Sequence, residues 1–149
     1  MHKYAFLIQN KIEAETIKQG EHNQGGDAYL IPDPRLTEAG IRECQGLEKK
    51  FPYQSSIDLI VVSPLRRTIQ TALYSFQPTI NRGVRVVALA EIQETSDVAC
   101  DTGSDVTDLK REFAEYQTVS RTPVVDFSQV PEDWNKKVRA LYLLHNIMG

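Results

Sequence analysis

The sequence predicts an α/β domain built around a largely parallel β-sheet. Three apolar runs of strand length, at residues 4–8, 57–62 and 84–89, are separated by segments in which apolar residues recur with helical spacing. Alternation of this kind is typical of βαβ units, whose strands are parallel. The run at 57–62 is apolar on both faces, which favours a buried parallel strand. A chain of 149 residues fits one such domain.

The first third of the chain is predicted to hold a strand, a loop and a helix. The strand is YAFLI at 4–8, and residues 11–18 have room for one or two helical turns. From Gly20 to Pro34, glycine and proline are frequent enough to predict a loop. A helix then runs from Thr37, which is a good N-cap residue, to Phe51.

The second strand, at 57–62, leads directly into a second helix. Ser63 is the predicted N-cap, with Pro64 in the first helical position. Apolar residues then repeat with helical spacing and predict a face that is turned to the core. They are Leu65, Ile69, Ala72, Leu73 and Phe76.

The C-terminal third is predicted to be mainly loop and helix. Residues 91–105 form a loop, and Ser104 caps a short helix whose Leu109 and Phe113 point inward. The segment 120–132 is irregular. Pro131 begins a last helix with an apolar face. That face is formed by Trp134, Val138, Leu141 and His145.

Composition and charge argue against several classes of protein and partner. The chain is 41% hydrophobic and 25% charged with a net charge of −3, so neither disorder nor a nucleic-acid partner is expected. No apolar run approaches the ~20 residues that span a bilayer, and the N-terminus lacks the pattern of a secretory signal. Cys44 and Cys100 lack metal-ligand spacing, so no metal site is expected and a reduced, cytoplasmic protein is predicted.

The junction between the second strand and its helix carries the clearest chemical signal. Ligands of open α/β sheets bind beyond the carboxyl ends of the strands, where helix N-termini present free N–H groups. Arg66 and Arg67 lie in the first turn of this helix, where positive charge opposes the helix dipole and costs about 0.3–1 kcal/mol per residue. An anion bound among these side chains would offset that cost. The alternative is that both side chains point into solvent.

Four segments of the chain resemble one known family. They are SPLRRTIQTAL at 63–73, VVALAEIQETSDVACDTGSD at 86–105, QGEHN at 19–23 and IPDPRLTEAGIREC at 31–44. The first is similar to the second signature of the histidine phosphatase (phosphoglycerate mutase-like) superfamily, and the next to the segment with its acidic residue. The other two look like the loop and first helix of its fungal and plant branch. The resemblance implies a three-layer α/β/α, phosphoglycerate mutase-like fold.

The resemblance implies hydrolysis or transfer of a phosphoryl group in two steps. A histidine at the end of the first strand becomes phosphorylated, arginines and a second histidine hold the phosphoryl oxygens, and a carboxyl group protonates the leaving oxygen. Such chemistry mainly needs positioning and positive charge, and a covalent histidine divides it into two easier steps. No metal or other cofactor is implied. The implied ligand is a phosphorylated small molecule or phosphate itself.

Three residues are the candidates for phosphate binding. Arg67 matches the arginine of the family's phosphate pocket, and Arg66 is the adjacent alternative. Asn23 matches an asparagine of the loop that follows the nucleophile, although it is equally consistent with an ordinary hydrogen-bonding role in that loop. Thr37 matches the threonine that begins the first helix, which is a structural role.

Two carboxylates and one histidine are the candidates for proton and phosphoryl transfer. Glu91 matches the acid, Glu94 is the alternative, and a plain surface carboxylate is the structural interpretation of Glu91. His22 matches a histidine that is not the nucleophile of that branch. It is the candidate for a rerouted nucleophile, with a hydrogen-bonding loop residue as the other interpretation.

The chain departs from the family pattern at the nucleophile. With residues 4–8 as the first strand, Gln9 and Asn10 stand where the family has Arg-His. Gapless alignment from residues 19–23 instead places Thr16 and Ile17 there, or, with a shorter spacing, Lys18 and Gln19. The histidines of the chain are His2, His22 and His145, and none follows the first strand at the right place. An amide can hydrogen-bond phosphate, but it cannot accept a phosphoryl group reversibly as imidazole does.

The chain departs from the pattern again after the predicted last helix. The family continues with a strand that ends in a histidine-glycine pair and lies beside the first strand, whereas His145 here is interpreted as a helix residue. The prediction is a single domain over 1–149 that is C-terminally truncated relative to the family fold. The exposed sheet edge that this implies favours pairing with another chain, such as a homodimer, or low solubility. The alternative is that the apolar face of the terminal helix covers part of this edge.

We therefore predict a phosphatase-like domain whose catalysis is impaired or lost and which at most binds a phosphate anion. One alternative is a residual phosphatase that uses His22. Another is a non-catalytic interaction or scaffold protein that reuses the fold. A truncated gene product of an ordinary phosphatase is the third.

Overall fold

The described part of the chain contains a four-stranded parallel sheet. A computed structural model of the chain describes residues 4–6, 30–117 and 121–136. The strands are β1 (Tyr4–Phe6), β2 (Leu59–Val62), β3 (Val86–Ala88) and β4 (Val125–Asp126). Their order in the sheet is β1-β2-β3-β4, and every neighbouring pair is parallel. The predicted α/β fold with a largely parallel sheet is confirmed.

The strand register brings the carboxyl ends of β2 and β3 together. Val61 lies opposite Val87, and Val62 lies opposite Ala88. The ladder extends one residue beyond β3, because the N–H of Leu89 donates to the carbonyl of Val62 over 2.9 Å. The residues that follow these two strands therefore leave the sheet side by side at the carboxyl ends of the strands, which we call the carboxyl edge. Parallel α/β proteins bind ligands at this edge.

Four α-helices accompany the sheet in the part of the chain that the structure describes. They are α1 (Glu38–Lys50), α2 (Arg66–Ser75), α3 (Gln77–Asn81) and α4 (Val106–Glu112). Helix α1 begins as predicted, because the Thr37 hydroxyl accepts a hydrogen bond from the N–H of Gly40 over 3.1 Å. The apolar face predicted for α2 is confirmed, since its five residues are at most 5% exposed and lie in the central hydrophobic cluster.

Two predicted helix starts are wrong. Ser63 does not cap α2, whose N-cap position is Leu65, because the Ser63 hydroxyl pairs with the Thr68 hydroxyl over 3.1 Å. Ser104 does not cap α4, whose N-cap position is Asp105. The hydroxyl of Ser104 instead accepts a hydrogen bond from the Arg66 guanidinium. The Ser63 hydroxyl is thus used within its own turn, whereas the Ser104 hydroxyl is used by a residue 38 positions away in the chain.

The segment 120–132 is not irregular throughout, because it contains β4. This strand is only two residues long, and its flanking Val124 accepts a hydrogen bond from the N–H of Val86 over 3.0 Å. The backbone at 131–136 forms turns, so the last helix does not begin at Pro131. The remainder of that predicted helix, with His145, lies outside the described residues, as do the turns predicted at 11–18.

None of the helices in the described ranges is long and apolar enough to cross a membrane.

Candidate functional site

The turn between β2 and α2 is held by a hydrogen-bonded hydroxyl. The Thr68 hydroxyl lies 2.7 Å from the carbonyl oxygens of both Ser63 and Leu65. Ser63 and Thr68 are both buried. The turn therefore closes on itself, and it delivers two consecutive arginines to the carboxyl edge of the sheet.

Arg67 is held on the segment that follows β3. Its Nη2 donates to the Oδ1 of Asp101 over 2.8 Å, and its Nη1 donates to the carbonyl of Cys100. The Arg67 side chain is 7% exposed. The other carboxylate oxygen of Asp101 accepts from the hydroxyl of Ser96. Arg67 is thus a buried cation at the carboxyl ends of the strands, and its two partners hold its guanidinium in one orientation.

Arg66 points into a different environment. Its Nε donates to Glu112 Oε2 over 2.7 Å, and its Nη1 lies 3.4 Å from Asp33 Oδ2. Arg35 joins the same cluster through a 3.0 Å contact with Glu112. The interpretation that both arginines point into solvent is wrong, because the Arg66 side chain is 21% exposed and that of Arg67 less. Carboxylates of the chain itself offset part of the cost of positive charge at this helix start.

The three carboxylates, Asp33, Asp101 and Glu112, are not predicted from the sequence. Two arginines in a first helical turn indicate nearby negative charge, but the chain has 20 acidic residues. The three acids that contact Arg66 or Arg67 lie 33 to 46 positions from them in the chain. Only the packing of α2 against the loops around it and against α4 brings these acids to the two arginines.

The candidate acid lies beyond the end of β3. Glu91 is part of a short 3-10 helix, Ala90–Ile92, and its side chain is exposed. Glu94 follows in a loop and is half-buried. Because β2 and β3 are adjacent and parallel, Glu91 and Arg67 both follow strands that end at the same edge of the sheet.

Burial and ion pairing set the charge states around the arginines. Burial raises the pKa of the Glu112 carboxyl, but hydrogen bonds from Arg66 and Arg35 outweigh it and leave that pKa below its ordinary value. Burial also raises the pKa of the Cys100 thiol, and the adjacent Asp101 raises it further. Cys100 therefore stays a protonated thiol at neutral pH and does not supply a thiolate nucleophile.

Several predicted site residues cannot be located in the fold. His22, Asn23 and the residues at the Arg-His positions, Gln9 and Asn10, lie outside the described ranges. Within those ranges, no three histidine, cysteine or acidic side chains are grouped so that they could hold a metal ion. The structure thus brings Arg67 and the Glu91 segment to one edge, and it places Arg66 in the cluster with Asp33 and Glu112.

Comparisons with known proteins match the same part of the chain. Residues 19–136 match the family model of the histidine phosphatase superfamily (branch 1). The chain is also similar to a protein of Schizosaccharomyces pombe that is named a probable phosphatase, with 33% identity over 113 residues. That match covers 74% of this chain and 49% of the relative, so the chain spans about half the length of the curated relative. No solved structure matches the chain.

Proposed function

The chain belongs to the histidine phosphatase superfamily (branch 1), and from this premise we propose that it binds phosphate or a phosphomonoester without efficient hydrolysis. The proposed anion site is the carboxyl edge of β2 and β3. The single observation that carries the proposal is the buried Arg67 guanidinium at that edge, in the motif SPLRRTIQTA.

Arg67 has the properties that recognition of a phosphoryl group requires. A guanidinium stays charged at any physiological pH and presents donors in a planar fork that matches phosphate oxygens. Asp101 and Cys100 hold it in one orientation, so little side-chain entropy remains to be lost when an anion binds. A direct contact of Arg66 or Asn23 with the anion stays a prediction.

The absence of efficient hydrolysis is proposed from the position of β1. Residues Tyr4–Phe6 pair with β2, with Phe6 opposite Val61, which supports residues 4–8 as the first strand of the family pattern. The residues that follow are Leu7, Ile8, Gln9 and Asn10. None of them carries the imidazole that takes up the phosphoryl group in the family reaction. Glu91, the proposed proton donor to the leaving oxygen, would then have no phosphorylation step to assist.

We propose the cytoplasm as the location of the protein. The two cysteines are free and buried, which supports a reducing environment. The proposed ligand is a phosphorylated small molecule or the phosphate anion, rather than a nucleic acid or a membrane.

Phosphate binding is tested by thermal unfolding with and without inorganic phosphate or vanadate. Ligand at 100 times its dissociation constant stabilises a protein by about 2.7 kcal/mol. We expect phosphate to raise the Tm of the wild-type protein and to have no effect on Arg67→Ala. Arg82→Ala is the matched control. Arg82 follows the last residue of α3 and donates to the carbonyls of Gln54 and Ile57, so this variant should show the same phosphate effect as the wild type. A phosphate effect that is missing in the wild type, or that survives Arg67→Ala, contradicts the proposed site.

Hydrolysis is tested in parallel with a generic aryl phosphate. We expect no turnover above background by the wild-type protein. Turnover that His22→Ala abolishes would overturn the proposal in favour of a rerouted nucleophile.

A further inference from the structure

Asp33 occupies an unusual position for a carboxylate. Its side chain is fully buried, and its backbone has a φ of 42°, in the left-handed region that aspartate tolerates better than most residues. Its Oδ1 accepts from the N–H of Arg66 over 2.8 Å, and its Oδ2 accepts from the N–H of Ser104 over 2.9 Å. The two main-chain donors come from segments that are remote from Asp33 in the sequence.

The first of these bonds gives α2 the cap that its own sequence does not provide. The N-cap position of α2 is Leu65, which has no polar side chain and makes no capping hydrogen bond. The first N–H groups of a helix have no partner within the helix, and the N-terminus carries partial positive charge. Asp33 supplies both an acceptor for the first of them and a negative charge, from 33 residues upstream.

The second bond ties this helix start to the segment that holds Arg67. Ser104 lies in the same connection as Cys100 and Asp101, which bind the Arg67 guanidinium. One carboxylate therefore joins the backbone that carries Arg67 to the backbone that orients its side chain. The Arg66 guanidinium strengthens the same junction, since it lies 3.4 Å from Asp33 Oδ2 and also donates to the Ser104 hydroxyl.

We propose that Asp33 is a positioning residue of the anion site, which sets the orientation of Arg67 without contacting the ligand. This inference rests on the proposed function. It assigns the motif PDPRLT two tasks, because Thr37 caps α1 and Asp33 caps α2 from outside the helix. Loss of the Asp33 charge then allows the helix start and the Arg67 partners to separate, and the anion site loses its shape.

The test compares Asp33→Asn and Asp33→Ala with the wild type. Asparagine keeps one acceptor oxygen and tolerates the left-handed backbone, so Asp33→Asn is expected to fold. The dissociation constant for inorganic phosphate is measured by calorimetry well below the Tm of each variant. We expect phosphate binding to weaken about tenfold in Asp33→Asn, a factor of the size that one good hydrogen bond supplies, and further in Asp33→Ala. Asp108→Asn is the matched control, because the Asp108 side chain is 47% exposed and pairs with Arg111 in its own helix. This variant should bind phosphate like the wild type.

A second measurement separates positioning from plain stability. The Nε–Hε resonance of Arg67, identified by its loss in Arg67→Lys, is expected to shift in Asp33→Asn and to stay in place in Asp108→Asn. A lower Tm in Asp33→Asn with an unchanged phosphate affinity and an unchanged Arg67 resonance would overturn the proposal. If the wild type binds no phosphate, the proposed function fails, and the Arg67 resonance still decides whether Asp33 positions that side chain.

Discussion

At the scale of single residues, Arg66 and Arg67 have separate partners although they are neighbours in the chain. Successive residues of a helix point about 100° apart, so two adjacent side chains reach different surroundings. Arg66 binds Asp33 and Glu112, whereas Arg67 binds Asp101 and the Cys100 carbonyl. The cluster around Arg66 contains two acidic residues, and the one around Arg67 contains one carboxylate and a main-chain carbonyl.

Glu112 should make the stability of the fold depend on pH. Its pKa is lowered in the folded protein because the bonds from Arg66 and Arg35 outweigh burial. A lowered carboxyl pKa adds stability that is fully present above the ordinary value of 4.5 and is lost as the pH falls through the folded value. We expect urea unfolding of Glu112→Gln to show a smaller loss of stability between pH 7 and pH 3 than the wild type.

The control for Glu112→Gln is Glu38→Gln. The Glu38 side chain is 93% exposed and lies 3.7 Å from Arg42, so its removal should leave the pH profile close to that of the wild type. If Glu112→Gln and the wild type lose equal stability on acidification, the ion pairs of Glu112 do not contribute as argued.

At the scale of elements, the turns at 131–136 pack on the loop that precedes α4. The indole N–H of Trp134 donates to the carbonyl of Ser104 over 3.1 Å, and the Asn135 amide donates to that of Gly103 over 3.0 Å. Trp134 is buried against Gly103, where a Cβ would come within 2.0 Å of the ring. The loop that holds Arg67 thus depends on a glycine for its close approach to Trp134.

Gly103→Ala should therefore destabilise the protein. The new methyl group overlaps a rigid ring that is fixed by its own hydrogen bond, and overpacking of this kind costs about 1–3 kcal/mol. Gly46→Ala is the matched control, since a Cβ there meets nothing within 4 Å and the position is inside α1. Alanine in place of a helical glycine should stabilise by about 0.5–1 kcal/mol. Urea unfolding measures the free energy of unfolding of both variants. A change of the same sign in Gly103→Ala and Gly46→Ala would contradict the packing argument.

At the scale of the whole molecule, β1 is one of the two end strands of the described sheet. The sequence predicts a homodimer through an exposed edge beside this strand, and that assembly stays a prediction. An unpaired edge presents N–H and carbonyl groups that a second chain can use. We expect sedimentation equilibrium to give a mass that rises with protein concentration. A mass equal to that of one chain over a hundredfold range of concentration would count against the dimer.

Much of the fold was predictable because its signals are local. The apolar run that contains β2, the spacing of Leu65, Ile69 and Phe76, and the Thr37 cap each depend on residues within a few positions of one another. Strand β4 was missed because two residues carry almost no periodicity, and they form a strand only through pairing with β3. The start of α2 was missed because its cap comes from Asp33.

The sequence by itself determined the family, the parallel α/β fold and the choice of Arg67 as the candidate phosphate-binding residue, since these depend on motifs and short-range patterns. Only the tertiary structure decided which carboxylates accompany the two arginines. The acids that contact α2 come from loops and a helix that are far from it in the chain, namely Asp33, Asp101 and Glu112. No spacing pattern in the sequence predicts these contacts. The physical reason is that a helix start needs an acceptor and negative charge near it, and any element that packs there can provide them.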